Sequence, residues 1–337
     1  MSVKDWLIKS ALSMMPIPML SVAQTGLLLP YYHYVNDQSP PHLRQLYAGR
    51  SRADFTADIT WLLQRYTPIS LDDLQASLAS GKPLPRNCFH LTFDDGFREC
   101  HDVIAPVLVR LGVPATFFIC SAFLDNKQMF YRNKISLLLD KFSAGLTPSQ
   151  DLAVKTLVAT RGVSYSGLCP LLRTISSPQA VLVDKIAELL AFSFDDYLET
   201  ERPYLSSGQV DDLLMQGFSI GAHSVDHPRY QELTVEQQIN QTRASMAFLI
   251  KRFPISCRAF AFPHSDAGIT VSFFRALSSE VDLFFGTSRL KKDSYGRCFQ
   301  RFSLEGSRYT GEEIIKANLL KQAMKGILGR GYIQRKP

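Results

Sequence analysis

Leu91-Thr92-Phe93-Asp94-Asp95-Gly96 is an apolar run that stops at two adjacent carboxylates and a glycine. Its reading decides the fold. With Cys88 to His90 before it, the stretch has the length and apolar content of a buried strand, and the Asp-Asp-Gly end marks where the strand stops. Side chains that emerge at the carboxyl end of a barrel strand face the mouth where active sites form. Two neighbouring carboxylates there can divide labour, one binding a cation and the other accepting a proton from water. Alone, Asp94-Asp95-Gly96 also fits a plain turn, because Asp and Gly are favoured turn residues.

Five further runs share this character: Leu27–Val35, Ala115–Cys120, Phe218–His223, Ala259–Phe262 and Leu283–Thr287, each bounded by Gly, Pro or Asp. Helical patterns lie between several of them. Asp54–Arg65 places Phe55, Ile59, Leu62 and Leu63 on one side, and Thr234–Arg252 opens with a Thr234…Gln237 capping box. Alternating strands and helices predict an α/β barrel or sheet. Residues from about 126 to 203 contain helical stretches such as Val181–Phe192 but no clear strand, and read as a helical insertion between two strands. The expected organisation is an N-terminal segment 1–26, a barrel domain 27–307 carrying that insertion, and a C-terminal helix and tail 308–337.

The second motif is Gly221-Ala222-His223-Ser224-Val225-Asp226-His227-Pro228, with two imidazoles four residues apart after an apolar strand. A helical turn there would point both rings to one side and let them share a metal. One carboxylate with two histidines makes an open three-ligand site that leaves positions for water and substrate, which implies catalysis more than scaffolding.

Together these motifs resemble the polysaccharide deacetylases, the NodB-homology proteins of carbohydrate esterase family 4. Thr92–Gly96 matches the family's TFDDG element and His223–His227 its histidine motif, in the same order. Further resemblance runs through Tyr32-His33, Phe55–Leu63, Pro114–Phe118 and Tyr204–Gly217. The resemblance implies an irregular (β/α) barrel of about seven strands. It implies that Asp95, His223 and His227 hold the metal and that Asp94 is the general base. Zinc suits two imidazoles and a carboxylate best, although cobalt, nickel, iron and manganese accept the same ligands.

The third family motif departs from the pattern, as Arg258-Ala259-Phe260-Ala261-Phe262-Pro263-His264. Arg258 either pairs with Asp94 and keeps its pKa low or is a structural ion-pair residue. Phe262 and Pro263 offer flat apolar surface for a groove wall against a sugar face, with His264 within reach of the site. No histidine follows His264, so the general acid must come from elsewhere in the chain. His33, ending the Tyr31–Val35 run, is preferred to His264 for that role. His90 is expected to pack beneath the site and His101 to lie on the following helix.

Composition is that of an ordinary globular chain: 337 residues, 46% hydrophobic, with 37 basic against 31 acidic residues and no long basic run. Nucleic-acid binding is therefore not expected. The six cysteines are scattered singly, as expected of reduced, packed thiols. No charge occurs between Lys9 and Asp37, so the N-terminus reads either as a docked segment or as a secretory signal. Pro16, Pro18 and Asp5 favour docking and a cytoplasmic location over export or membrane association. The tail from Glu312 to Lys336 fits a basic amphipathic helix touching a membrane or lipid-linked glycan, or equally a helix docked on the barrel. Oligomeric state is left open.

The expected function is thus metal-dependent removal of an N-acetyl group from an amino sugar in a polysaccharide, oligosaccharide or lipid-linked glycan. A deformylase or amidase acting on a nucleotide sugar or other small amide, and a non-catalytic carbohydrate-binding protein, are the competing readings.

Overall fold

Seven parallel staves close on themselves in the computed structural model, which describes residues 26–306, 309–329 and 331–337. In chain order the strands are β1 (Pro30–Tyr32), β2 (Leu91–Phe93), β3 (Ala115–Ile119), β4 (Ser219–Ala222), β5 (Ala259–Ala261), β6 (Leu283–Gly286), β7 (Cys298–Gln300) and β8 (Phe302–Ser303). They pair in the order β7-β6-β5-β4-β3-β2-β1-β8. Only Arg301 separates β7 from β8, so the two form one bent stave. Its first half pairs with β6 and its second with β1, with Arg301 N–H donating to Gly286 O and Phe302 N–H to Leu29 O, both at 3.1 Å. The six expected strands form at their expected places. The seventh stave, 298–303, is not among the expected strands.

Strand alternation sorts the side chains into two cores. Leu29, Phe118, Ala259, Ala261, Leu283 and Phe285 pack together inside the barrel, and Leu71 and Leu74 of the Leu71–Ser80 helix close its floor. The out-of-phase residues Tyr32, Phe93, Phe117, Phe260 and Phe284 form the larger core against the surrounding helices. Each such buried side chain contributes roughly 1.5–3 kcal/mol on leaving water. The lumen is tight: a Cβ on Gly221 would come within 2.4 Å of the Phe118 ring and 2.8 Å of Ala259 O.

Helix starts follow the sequence signals. Ser51 caps Arg52–Leu63, and the Thr234/Gln237 capping box opens Val235–Arg252. Five α-helices from Tyr131–Lys141 to Phe194–Glu201 form the insertion between β3 and β4, with a core of their own that continues onto Tyr34, Leu43 and Phe97 at the barrel's upper rim. The Gly311–Ile327 helix docks on the barrel through Ile315 and Leu319, while Met324 near its end is 57% exposed. All six cysteines are free thiols. No described helix is long and apolar enough to cross a membrane. The reading of residues 1–26 falls almost wholly outside the described residues.

Candidate active site

Asp94 sits one step past β2, in phase with His90 and Thr92, and its N–H continues the ladder to Tyr32 O at 3.0 Å. The chain then turns sharply. Asp95 and Gly96 both adopt left-handed backbone, at φ 73° and 71°, which folds the Asp95 carboxylate back over the barrel mouth. Asp tolerates that region better than most residues.

On the facing stave, His223 N–H donates to Ile119 O at 2.9 Å, making His223 the last in-phase residue of β4. The expected helical turn after it does not form. Residues 223–229 are an irregular loop in which Ser224 (φ 69°) and His227 (φ 61°) are left-handed, and Ser224 Oγ accepts from His227 N–H at 3.0 Å. That reversal, rather than helical periodicity, brings the two rings to 5.0 Å between centroids. His264 adopts the same strained region (φ 57°), so four such non-glycine residues converge on one spot.

Asp95 Oδ1 lies 3.5 Å from His223 Nε2 and 3.2 Å from His227 Nε2, and one ligand atom from each residue falls within 4.8 Å of the others. His223 Nδ1 is 2.8 Å from Ala261 O, which assigns the proton to Nδ1 and leaves the Nε2 lone pair facing Asp95. Asp95 Oδ1 is buried without a hydrogen-bond partner. An orphaned carboxylate oxygen beside two imidazole nitrogens is the donor set of a divalent cation such as zinc, and these residues fit one. Burial works to raise the Asp95 pKa, but His227 and His223 hold it well below the usual carboxylate range.

Asp94 faces an arginine that the sequence reading did not select. Arg301 Nη1 and Nη2 donate to the two Asp94 oxygens at 2.7 and 2.9 Å, and Nη1 also donates to Thr92 Oγ1 at 3.0 Å. Burial pushes the Asp94 carboxyl up, yet the guanidinium, with His223 and His33 beyond it, holds it below its ordinary value. The guanidinium itself is packed between the rings of Tyr31 and Phe118.

Arg258 is not part of this site. It precedes β5 at the opposite end of the barrel, where Nη2 and Nε donate to Asp282 at 2.6 and 3.0 Å. Strand direction puts it at the amino end of β5, away from the mouth, and parity turns it outward with 260 and 262, while 259 and 261 line the lumen. The same parity corrects Phe262, which packs among Tyr230, Phe273 and Phe284 in the outer core and lines no groove. Pro263 is buried beside it. His264 does reach the centre, with its ring 4.4 Å from that of His227. Burial, His227 and Arg229 lower its pKa to about 2.

His33 ends β1 at the mouth. Glu305, two residues beyond β8, accepts from the His33 backbone N–H at 2.9 Å and also bonds His33 Nδ1. Burial works to lower the His33 pKa, but Glu305, Asp95 and Asp94 raise it to about 9. Tyr47 packs tilted against this ring, 5.0 Å between centroids, and its hydroxyl lies 3.5 Å from Asp95 Oδ2. Phe130, from the insertion, packs at 4.7 Å on His227. His90 lies below, between Ile69 O and Thr116 Oγ1, both at 2.8 Å. The signal that could have found Arg301 and Glu305 is the apolar alternation Cys298, Phe302, Leu304 around a lone arginine.

A family model described as polysaccharide deacetylase matches residues 81–154 and 180–278, and the gap between them lies inside the helical insertion. The poly-beta-1,6-N-acetyl-D-glucosamine N-deacetylase of Escherichia coli O157:H7 is 26% identical over 119 residues, 35% of this chain. Its counterpart in strain K12 is 26% identical over 96 residues, 28% of this chain. The matched segments span only 16% and 14% of the lengths of these relatives. Among solved structures, the deacetylase PplD of Streptococcus pyogenes, in complex with acetate, superposes with TM-score 0.54 at 13% identity, covering 87% of this chain and 98% of that one. IcaB from Ammonifex degensii gives TM-score 0.54 at 17% identity, covering 87% and 97%. At such identities the likeness concerns the fold.

Proposed function

The chain belongs to the polysaccharide deacetylase family, and from that premise we propose that it is a metal-dependent hydrolase removing N-acetyl groups from the amino-sugar units of a glycan, foremost a polymer of N-acetylglucosamine. The observation that carries this reading is the convergence of Asp95 Oδ1 with two imidazole Nε2 atoms beside an Asp94 held in a two-pronged pair by Arg301. The polymer is suggested by the Escherichia coli relatives, which are poly-beta-1,6-N-acetyl-D-glucosamine N-deacetylases.

Asp95, His223 and His227 would hold the cation, zinc by preference, which when bound polarises the amide carbonyl and acidifies water. Asp94 accepts the proton of the attacking water as the oxygen–carbon bond forms. Arg301 keeps Asp94 unprotonated and fixes its orientation. His33, oriented through Nδ1 by Glu305, delivers a proton from Nε2 to the sugar nitrogen as the carbon–nitrogen bond breaks, releasing acetate and the free amine. His33 suits this role better than His264, because His33 holds its proton to higher pH and His264 stays neutral.

The test is acetate and formate release by purified, metal-loaded protein from N-acetylglucosamine oligomers, a lipid-linked glycan, nucleotide sugars and formylated sugars, with Asp94→Asn and His223→Ala as controls. Acetate from the oligomers, abolished in both variants, is the expected result. Formate release, or turnover confined to nucleotide sugars, would replace the substrate. Glycan binding without turnover on any substrate by protein with bound metal would replace the enzyme with a binding protein.

A further inference from the structure

Outside the site just described, Asp266, Asp293 and Arg335 form a deeply buried cluster of charge, with side chains 1%, 0% and 2% exposed. Arg335 Nε donates to both Asp293 oxygens at 3.1 Å, and Nη2 bonds Asp293 and Asp266 together. Nη1 donates to the Asp266 backbone carbonyl at 2.6 Å. With Cys298, the two carboxylates make the only other described group whose ligand atoms could surround a cation, and the guanidinium already fills it. The arginine is carried there by a short strand, Tyr332–Ile333, that pairs parallel with Lys292–Asp293.

Asp266 belongs to the loop after β5 that bears His264. Its Oδ1 accepts from Thr287 N–H at 3.1 Å and its Oδ2 from Gln300 Nε2 at 2.7 Å, while Thr287 Oγ1 donates to His264 O at 3.2 Å. At the far end of the loop, Val271 N–H donates to Lys336 O at 2.8 Å. The seat requires a glycine: a Cβ on Gly286 would lie 2.5 Å from Asp266 Cγ and from Gln300 Nε2. His264 at the head of the loop packs on His227.

We infer that Arg335 is a positioning residue for the active site: by clamping Asp266 to Asp293 it holds the 263–271 loop in the strained conformation that seats His264 against His227. Gln300 Nε2 also donates to both carboxylates, to Asp266 at 2.7 Å and to Asp293 at 2.9 Å, but without the guanidinium the two buried charges keep only that neutral amide between them, and the loop loses the charged contact that sets its height on the barrel. The consequence for turnover rests on the deacetylase reading; the consequence for the loop does not.

The experiment is amide hydrogen exchange by mass spectrometry on the full chain, comparing wild type, Arg335→Ala and Arg335→Lys, with steady-state kinetics on the same samples. In Arg335→Ala, protection across 263–271 falls by about tenfold while β2 and β3 keep theirs. kcat falls by about tenfold and KM for the glycan changes little, as for other residues that orient a metal ligand indirectly. Arg335→Lys recovers part of both, since an ammonium cannot bridge two carboxylates as a planar fork does. Added methylguanidinium restores loop protection in Arg335→Ala. Gly286→Ala, which keeps Arg335 but displaces Asp266, loosens the same segment and serves if Arg335→Ala fails to fold. Unchanged exchange at 263–271, or exchange that rises evenly across the barrel, overturns the inference. A wild-type protein without deacetylase activity overturns the proposed function and leaves the exchange result to decide this one.

Discussion

Arg301 and Asp94 form a two-pronged ion pair inside the barrel, at 2.7 and 2.9 Å, with the guanidinium wholly enclosed. The arginine stands at the bend where one stave leaves β6 and joins β1. Barrel closure and the charge state of the proposed base are therefore set by the same residue.

Arg301→Met is expected to cost about 3–5 kcal/mol, because it leaves a buried carboxylate without its partner. The sign of its pH dependence follows from Asp94. In the wild type the depressed pKa contributes stability that is present above the ordinary carboxylate pKa and is lost as pH falls through the folded value. In the variant burial alone remains, the Asp94 pKa rises, and the loss of stability is greater at pH 8 than at pH 5. The acid limb of kcat/KM moves to higher pH. Thermal unfolding at the two pH values and a pH–rate profile check both.

Arg258→Ala should do neither. Its pair with Asp282 is partly exposed, with the arginine side chain 35% accessible. A loss of at most about 1 kcal/mol, with an unchanged pH profile, is expected. A shifted acid limb in this variant would return Arg258 to the site.

Metal content separates the two aspartates. Asp95→Asn and His227→Ala should lose the bound ion on dialysis, and Asp94→Asn should retain it while losing activity. Elemental analysis of the dialysed proteins beside their acetate-release rates decides this. Loss of the ion in Asp94→Asn would mean that both carboxylates are ligands.

Glu305→Gln should lower the His33 pKa. In the metal-free protein His33 titrates near pH 9, with Glu305 the largest influence raising it against burial. The ring's contribution to stability is complete below its unfolded pKa of about 6.5. It is lost as pH rises through about 9. With glutamine, only Asp95 and Asp94 remain to oppose burial, and the titration moves to lower pH. Nitrogen-detected NMR of the imidazole reads this directly, and an unmoved titration would remove Glu305 from the proposed dyad.

Gly221→Ala tests how tightly the lumen beneath His223 is filled. The added methyl meets the Phe118 ring and Ala259 O, so a loss of about 1–3 kcal/mol is expected. Gly296→Ala, where nothing lies within 4 Å, is the control, with an effect within about 0.5 kcal/mol. Chemical denaturation of both variants measures the difference.

Most of the barrel was legible in the chain. Strands such as Ala115–Ile119 and Leu283–Gly286 are apolar runs bounded by breakers, and a fully buried parallel strand carries that signature locally. The stave 298–303 was not read, because its two halves are only three and two residues long and a buried arginine interrupts them. A charge in such a run looks like a surface residue until its partner, more than two hundred positions away in sequence, is known.

Asp94, Asp95, His223 and His227 were open to sequence reading because the chemistry they offer is written in residue type and short spacing at strand ends. Which arginine meets Asp94, which carboxylate holds His33, and which phenylalanine is core instead of groove wall were decided only by the fold. Those questions turn on strand parity and on which stave closes against which. The local sequence determines that Phe262 and Arg258 lie beside a strand. Only the closed sheet decides that both point away from the lumen while Arg301 points in, because inside and outside exist only once the staves have joined.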